Sequence, residues 1–172
     1  PFVYISYFHV DAKYYGLLFG MNMIGVSSIG LFNRKMVTLY SLDKLLLFST
    51  STAIIGGIGL FLSASTGWGG IFGIIGFVFI IFSMNGIIAS CTNAAALDAV
   101  PATMVGSAAA FMGALQYGSG IISSLLLASF STGTPFTMSW IMLLFVALSF
   151  VAIILNVKNK IITVITKTII AK

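Results

Sequence analysis

The chain has 172 residues and a net charge of +5, yet it is 59% hydrophobic and only 6% charged, with a mean hydropathy of +1.15. A soluble domain carries about 25% charged residues, so this composition cannot supply the polar surface that a water-soluble core needs, and an integral membrane protein is expected. No basic patch interleaved with aromatics occurs, so the positive charge reads as topology and nucleic acid is not an expected partner.

Residues 1–8, PFVYISYF, lack the basic flank and the length of a signal peptide and read as the end of a preceding span. His9, Val10, Asp11, Ala12 and Lys13 form a polar link. A first full span follows at about residues 14–33, a length that suits a bilayer core of about 30 Å. Within it Gly16 and Gly20 make a GxxxG pair, continued loosely by Gly25 and Gly30, a spacing that lets membrane helices approach closely. Asn22 also lies inside this span. An amide in hydrocarbon is costly unless hydrogen-bonded, so Asn22 is expected to face the bundle or a wet cavity. Residues 34–44 contain Arg34, Lys35 and Lys44 and no long apolar run, and read as an exposed loop.

The second span is expected at about residues 45–64. Ser49, Ser51, Thr50 and Thr52 cluster near its start, where hydroxyls commonly bond back to their own helix. Ser65, Thr66 and Gly67 read as a tight turn, with Trp68 at an interface. The third span, about residues 68–97, is longer than a bilayer requires, so it is expected to tilt, kink or project. Asn85, Thr92 and Asn93 are spaced seven and eight apart on it and share roughly one face.

Pro101 biases Val100 away from helical angles and marks a hinge, with Asp98 on its near side. The fourth span is expected at about residues 103–130. Along it Gly106, Ala110, Ala114 and Gly118 recur every fourth residue and place four small side chains on one helical face, a packing surface edged by Gln116, Tyr117 and Ser119. Residues 131–135 read as a turn, and the fifth span as about residues 136–157. Residues 158–172 form a basic, isoleucine-rich tail, which reads either as a segment lying on the membrane surface or as an unstructured end.

Alternating spans place Lys13 on one membrane face. Arg34, Lys35, Lys44, Lys158, Lys160, Lys167 and Lys172 fall on the other, so seven cations against one give a positive-inside signal with the C-terminus cytoplasmic. The fold class is therefore all-α: a polytopic membrane helix bundle with five full spans and the end of a sixth. Asp11, Asp43 and Asp98 fall in loops or at span ends, and His9 is the single histidine. That distribution gives no basis for a metal site, a cofactor, paired-carboxylate catalysis or an embedded proton relay, and an enzyme is not expected.

The run PFVYISYFHVDAKYYGLLFGMNMIG, followed by LFNRKMV, resembles the seventh-to-eighth span region of bacterial drug-resistance transporters of the bicyclomycin/chloramphenicol (Bcr/CflA) type, in the major facilitator superfamily. The run TNAAALDAVPATMVGSAAAFMGALQYGSG resembles that family's tenth and eleventh spans, with Gln116, Tyr117, Gly118, Ser119 and Gly120 in its Gln/Arg-aromatic-Gly-x-Gly element. The likeness extends over residues 1–157, while the tail and the residues after Asn33 depart from it. It implies the C-terminal six-helix half of a twelve-span transporter of the bacterial inner membrane, exporting drugs or small metabolites in exchange for protons. An N-terminal six-helix half would be the partner and would hold the coupling carboxylates. In such proteins the substrate site lies near the midplane between the halves, which makes Asn22, Asn85, Asn93 and Gln116 the expected polar cavity residues and Tyr117 an aromatic wall. Hydrogen bonding between helices is the competing role for each. A small multispan protein with an assembly role and no transport is the alternative function.

Overall fold

The computed structural model describes residues 3–130 and 133–170. Five long helices account for most of them: α1 (Ala12–Leu39), α2 (Leu42–Thr66), α3 (Gly70–Asp98), α4 (Val105–Ser129) and α5 (Pro135–Ile170). Each contains a stretch long and apolar enough to cross a membrane. Before α1, Val3–Tyr7 form a short π-helical turn, and Ala102–Met104 form a 3-10 turn ahead of α4. The protein is an all-α polytopic bundle, as its composition requires.

The helix ends follow local chemistry. Asp11 caps α1, its Oδ1 accepting from the Lys13 N–H at 3.1 Å. Between α2 and α3 the chain reverses through Gly67 and Gly69, both in the left-handed region with φ of 73° and 74°, which glycine adopts without a Cβ clash. The Gly67 N–H closes the last turn of α2 on the Ser63 carbonyl, and the Ser63 hydroxyl donates to the Trp68 carbonyl at 2.7 Å. The turn therefore sits slightly later than residues 65–67.

Two helices run further than the sequence suggests. Residues 34–39 are not loop: they complete α1, and only Tyr40 and Ser41 separate it from α2. The reason is that Arg34, Lys35, Met36, Val37, Thr38 and Leu39 include no glycine or proline, so nothing stops the helix where its hydrophobicity stops. Their polar side chains are exposed, as expected of residues past the lipid. The backbone of α5 likewise continues unbroken to Ile170. The first two residues of the turn expected at 131–135 lie outside the described residues.

Packing is uneven. Helix α3 is the central strut, with α1 along one side and α2 along another, and α2 lies between α3 and α5. The π-turn docks Val3 and Tyr4 onto a core of Leu60, Ile74, Val78 and Ile81 at one end. At the other end Leu45 and Leu46 meet Ile87 and Cys91. Without a hydrophobic drive between lipid-embedded helices, close backbone approach is what joins them, and glycines provide it. A Cβ on Gly56 would lie 3.2 Å from Ile80 and Ile81 of α3, while one on Gly57 would lie 3.1 Å from Leu143 of α5. A Cβ on Gly86 would lie 2.7 Å from the Val26 carbonyl of α1. Helix α4 is different: none of its residues is buried, and it touches α3 and α5 only thinly.

Candidate functional site

The thin contact of α4 leaves a cavity of about 570 Å³ between α3, α4 and α5. From α4 it is lined by Gln116, Ser119, Gly120, Ser123 and Leu127, whose spacing places them on one helical face. Asn85 and Phe82 of α3 form a second wall, and Met138, Ile141, Met142 and Phe145 of α5 form the third. A smaller space of about 230 Å³, between α2, α3 and α5, shares Phe82, Asn85 and Phe145 and adds Thr50 and Ser149. Asn85 thus stands where the two spaces adjoin.

The chemistry of the larger cavity is that of an amphipathic, uncharged site. One wall is aromatic and thioether, and none of the lining side chains is ionisable. The hydroxyls of Ser119 and Ser123 donate to the Gln116 and Gly120 carbonyls at 2.7 and 3.0 Å, which leaves their lone pairs as acceptors. Among the described residues the Asn85 and Gln116 amides have no hydrogen-bonded partner. Two amides and two hydroxyls against an apolar wall can bind a molecule with an apolar body and a few neutral polar groups. They offer no nucleophile–base pair, and among the described residues no group of three or more His, Cys, Asp or Glu comes together.

Of the five residues expected to build a cavity, the structure brings Asn85 and Gln116 together here. Tyr117 is 82% exposed and turned away, because one residue along a helix is a rotation of about 100°. Asn93 is exposed on α3 and lines neither space. Asn22 is buried on α1, a helix that contributes to neither wall. Thr92, on the face of Asn85, lines a third space of about 330 Å³ further along α3 with Asp43 and Asn156.

Of the glycines expected to pack, Gly25 meets Phe79 and Ser83 of α3, while others meet no helix of this chain among the described residues. A Cβ on Gly16, Gly20, Gly106 or Gly118 would meet nothing within 4 Å. The stripe of Gly106, Ala110, Ala114 and Gly118 lies on the side of α4 away from Gln116 and Ser123, against no other helix among the described residues. The hydroxyl cluster of α2 behaves locally: Ser49, Thr50 and Thr52 donate to the Leu45, Leu46 and Phe48 carbonyls at 2.8, 2.7 and 2.9 Å.

An interhelical polar clasp was not legible beforehand. Asn33, 4% exposed at the α1–α3 contact, donates from Nδ2 to the Ser90 hydroxyl at 2.8 Å and to the Cys91 thiol at 3.5 Å. Its position at the end of the apolar run disguised it as a span terminus.

The fold and this cavity define a membrane-spanning helix bundle with an uncharged, amphipathic cleft that is open along α4, where Asn85 and Gln116 are both exposed. No family model, curated protein or solved structure matches the chain.

Proposed function

We propose that the chain is the C-terminal half of a proton-coupled exporter of drugs or small metabolites, of the Bcr/CflA type within the major facilitator superfamily. It resides in a bacterial inner membrane with its C-terminus cytoplasmic. The observation that supports this reading best is the cavity in which Asn85 and Gln116 face Met138, Met142 and Phe145 with no charge among them. Such a lining suits reversible occupation by an apolar molecule anchored at a few polar points, and alternating access would follow from one six-helix unit rocking on another. Asp11 and Asp43 lie at helix starts and Asp98 at a helix end, which supports a reading that assigns proton coupling to an N-terminal half. The exposed small-residue face of α4 favours a second reading, an assembly subunit without transport.

The two separate on co-expression with a separately encoded N-terminal half. Export predicts restored efflux of an uncharged antibiotic, lost again in Asn85→Ala and Gln116→Ala chains that still insert. Stable assembly with no flux for any compound, or flux indifferent to both substitutions, overturns the transport reading.

A further inference from the structure

Helices α1 and α2 leave the turn at Tyr40 and Ser41 and diverge, because α1 packs along α3 while α2 packs between α3 and α5. The divergence opens a cleft of about 370 Å³, lined by Met36 and Tyr40 of α1 and by Lys44, Leu45 and Phe48 of α2. Its walls are apolar, with Phe48 exposed, and its one charged lining group is Lys44. Charge is sorted between the two sides of α2. Asp43, one residue earlier, lines the separate space shared with Thr92 and Asn156, whereas Lys44 lines the cleft. Arg34 and Lys35, both exposed in the last turns of α1, add positive charge at the same end of the bundle.

We propose that this cleft binds one anionic phospholipid, an acyl chain lying against Met36, Leu45 and Phe48 and the phosphate held by Lys44 with the Tyr40 hydroxyl as a second donor. The occupant must be apolar along its length and negative at one end, at the level where α1 and α2 leave the hydrocarbon. A lipid of the surrounding leaflet meets all three conditions. Basic pockets between transmembrane helices recognise anionic headgroups in this way, and a charge-assisted bond to phosphate is stronger than one to a neutral headgroup. This site is independent of the cavity at Asn85 and of any transport activity.

The test is native mass spectrometry of the full chain, released from neutral detergent and titrated with phosphatidylglycerol, with phosphatidylcholine of the same acyl chains, and with glycerol 3-phosphate. One phosphatidylglycerol should be retained in preference to phosphatidylcholine. Lys44→Gln should weaken phosphatidylglycerol about fivefold, the worth of one cation at a membrane surface, and leave phosphatidylcholine unchanged. Lys158→Gln, which removes a cation outside the cleft, should change neither. Circular dichroism reports whether each variant is helical. Should Lys44→Gln not fold, Tyr40→Phe, which removes only the hydroxyl, should give a smaller loss confined to phosphatidylglycerol. Equal retention of the two lipids overturns the proposal, as does an equal effect of Lys44→Gln and Lys158→Gln, which would mark diffuse surface charge. Glycerol 3-phosphate binding as tightly as the lipid would replace it with a free-phosphate site.

Discussion

Adding one methyl group at Gly86 tests how α1 is held to the rest of the bundle. A Cβ there would sit 2.7 Å from the Val26 carbonyl oxygen and 3.5 Å from the Gly30 nitrogen. Ordinary van der Waals contact begins at 3.4 Å, so α1 must retreat by about 0.7 Å, and the obstructing atom is backbone that has no rotamer to escape into. Overpacking of this kind costs about 1–3 kcal/mol. Alanine recovers up to about 1 kcal/mol in helix propensity, but the retreat also stretches the Asn33–Ser90 bond, and interhelical bonds in membranes average about 0.6 kcal/mol. The expected net loss for Gly86→Ala is about 1–2 kcal/mol, a factor of roughly 5–30 in the folded-to-unfolded ratio. Reversible unfolding in mixed micelles, followed by circular dichroism, measures it. Gly76→Ala on the same helix is the control, because its Cβ would meet nothing within 4 Å, and it should be neutral or slightly stabilising. A Gly86→Ala chain as stable as Gly76→Ala would refute the claim that glycine contact sets the α1–α3 distance.

Four further outcomes follow from the same packing. The Ser83 hydroxyl is buried without a hydrogen-bond partner among the described residues, and an unmet buried polar group costs about 1–3 kcal/mol, so Ser83→Ala should raise the unfolding midpoint in that assay. Asn33→Leu should cost about 1 kcal/mol, within the range found for membrane hydrogen bonds. The same change should speed maleimide labelling of Cys91, the single thiol, which is 1% exposed in the intact bundle. Gly106→Ala and Gly118→Ala should leave the isolated chain as stable or slightly more so; if the stripe packs against a second half, the same changes should weaken the co-expressed complex in pull-down.

The number of crossings and their rough limits were legible because each depends on a long apolar run and on its breakers: the glycine pair around Trp68 and the proline after Val100 act through backbone geometry alone. The ends of α1 and α5 were not, since hydrophobicity marks where lipid ends and not where a helix ends. Which glycines pack could be read from spacing only in part. The GxxxG pair at Gly16 and Gly20 faces open space, whereas Gly25, which continues it, packs against Phe79 and Ser83 of α3, and Gly56, Gly57 and Gly59 of α2 meet α3 and α5. That difference depends on which way each helix is turned, and a helix with small residues on several faces does not disclose its rotation. Three glycines within four residues of one apolar span were the available signal. An amide in an apolar helix needs a polar destination, which singles out Asn22, Asn85, Asn93 and Gln116 alike but does not separate Asn85 and Gln116, which line the cleft, from the other two. The methionines and Phe145 opposite them carry no sign that separates a cavity wall from a lipid-facing surface.

The sparse seating of α4 bears on how the chain enters the bilayer during synthesis. Its span is the least apolar of the five, and α3, which precedes it by a short link, is among the most apolar. On leaving the translocon α4 gains less from lipid than α3 does and little from contact with the bundle, which favours insertion of the two together as a hairpin. Polar substitutions in α3 should therefore misplace α4 together with α3.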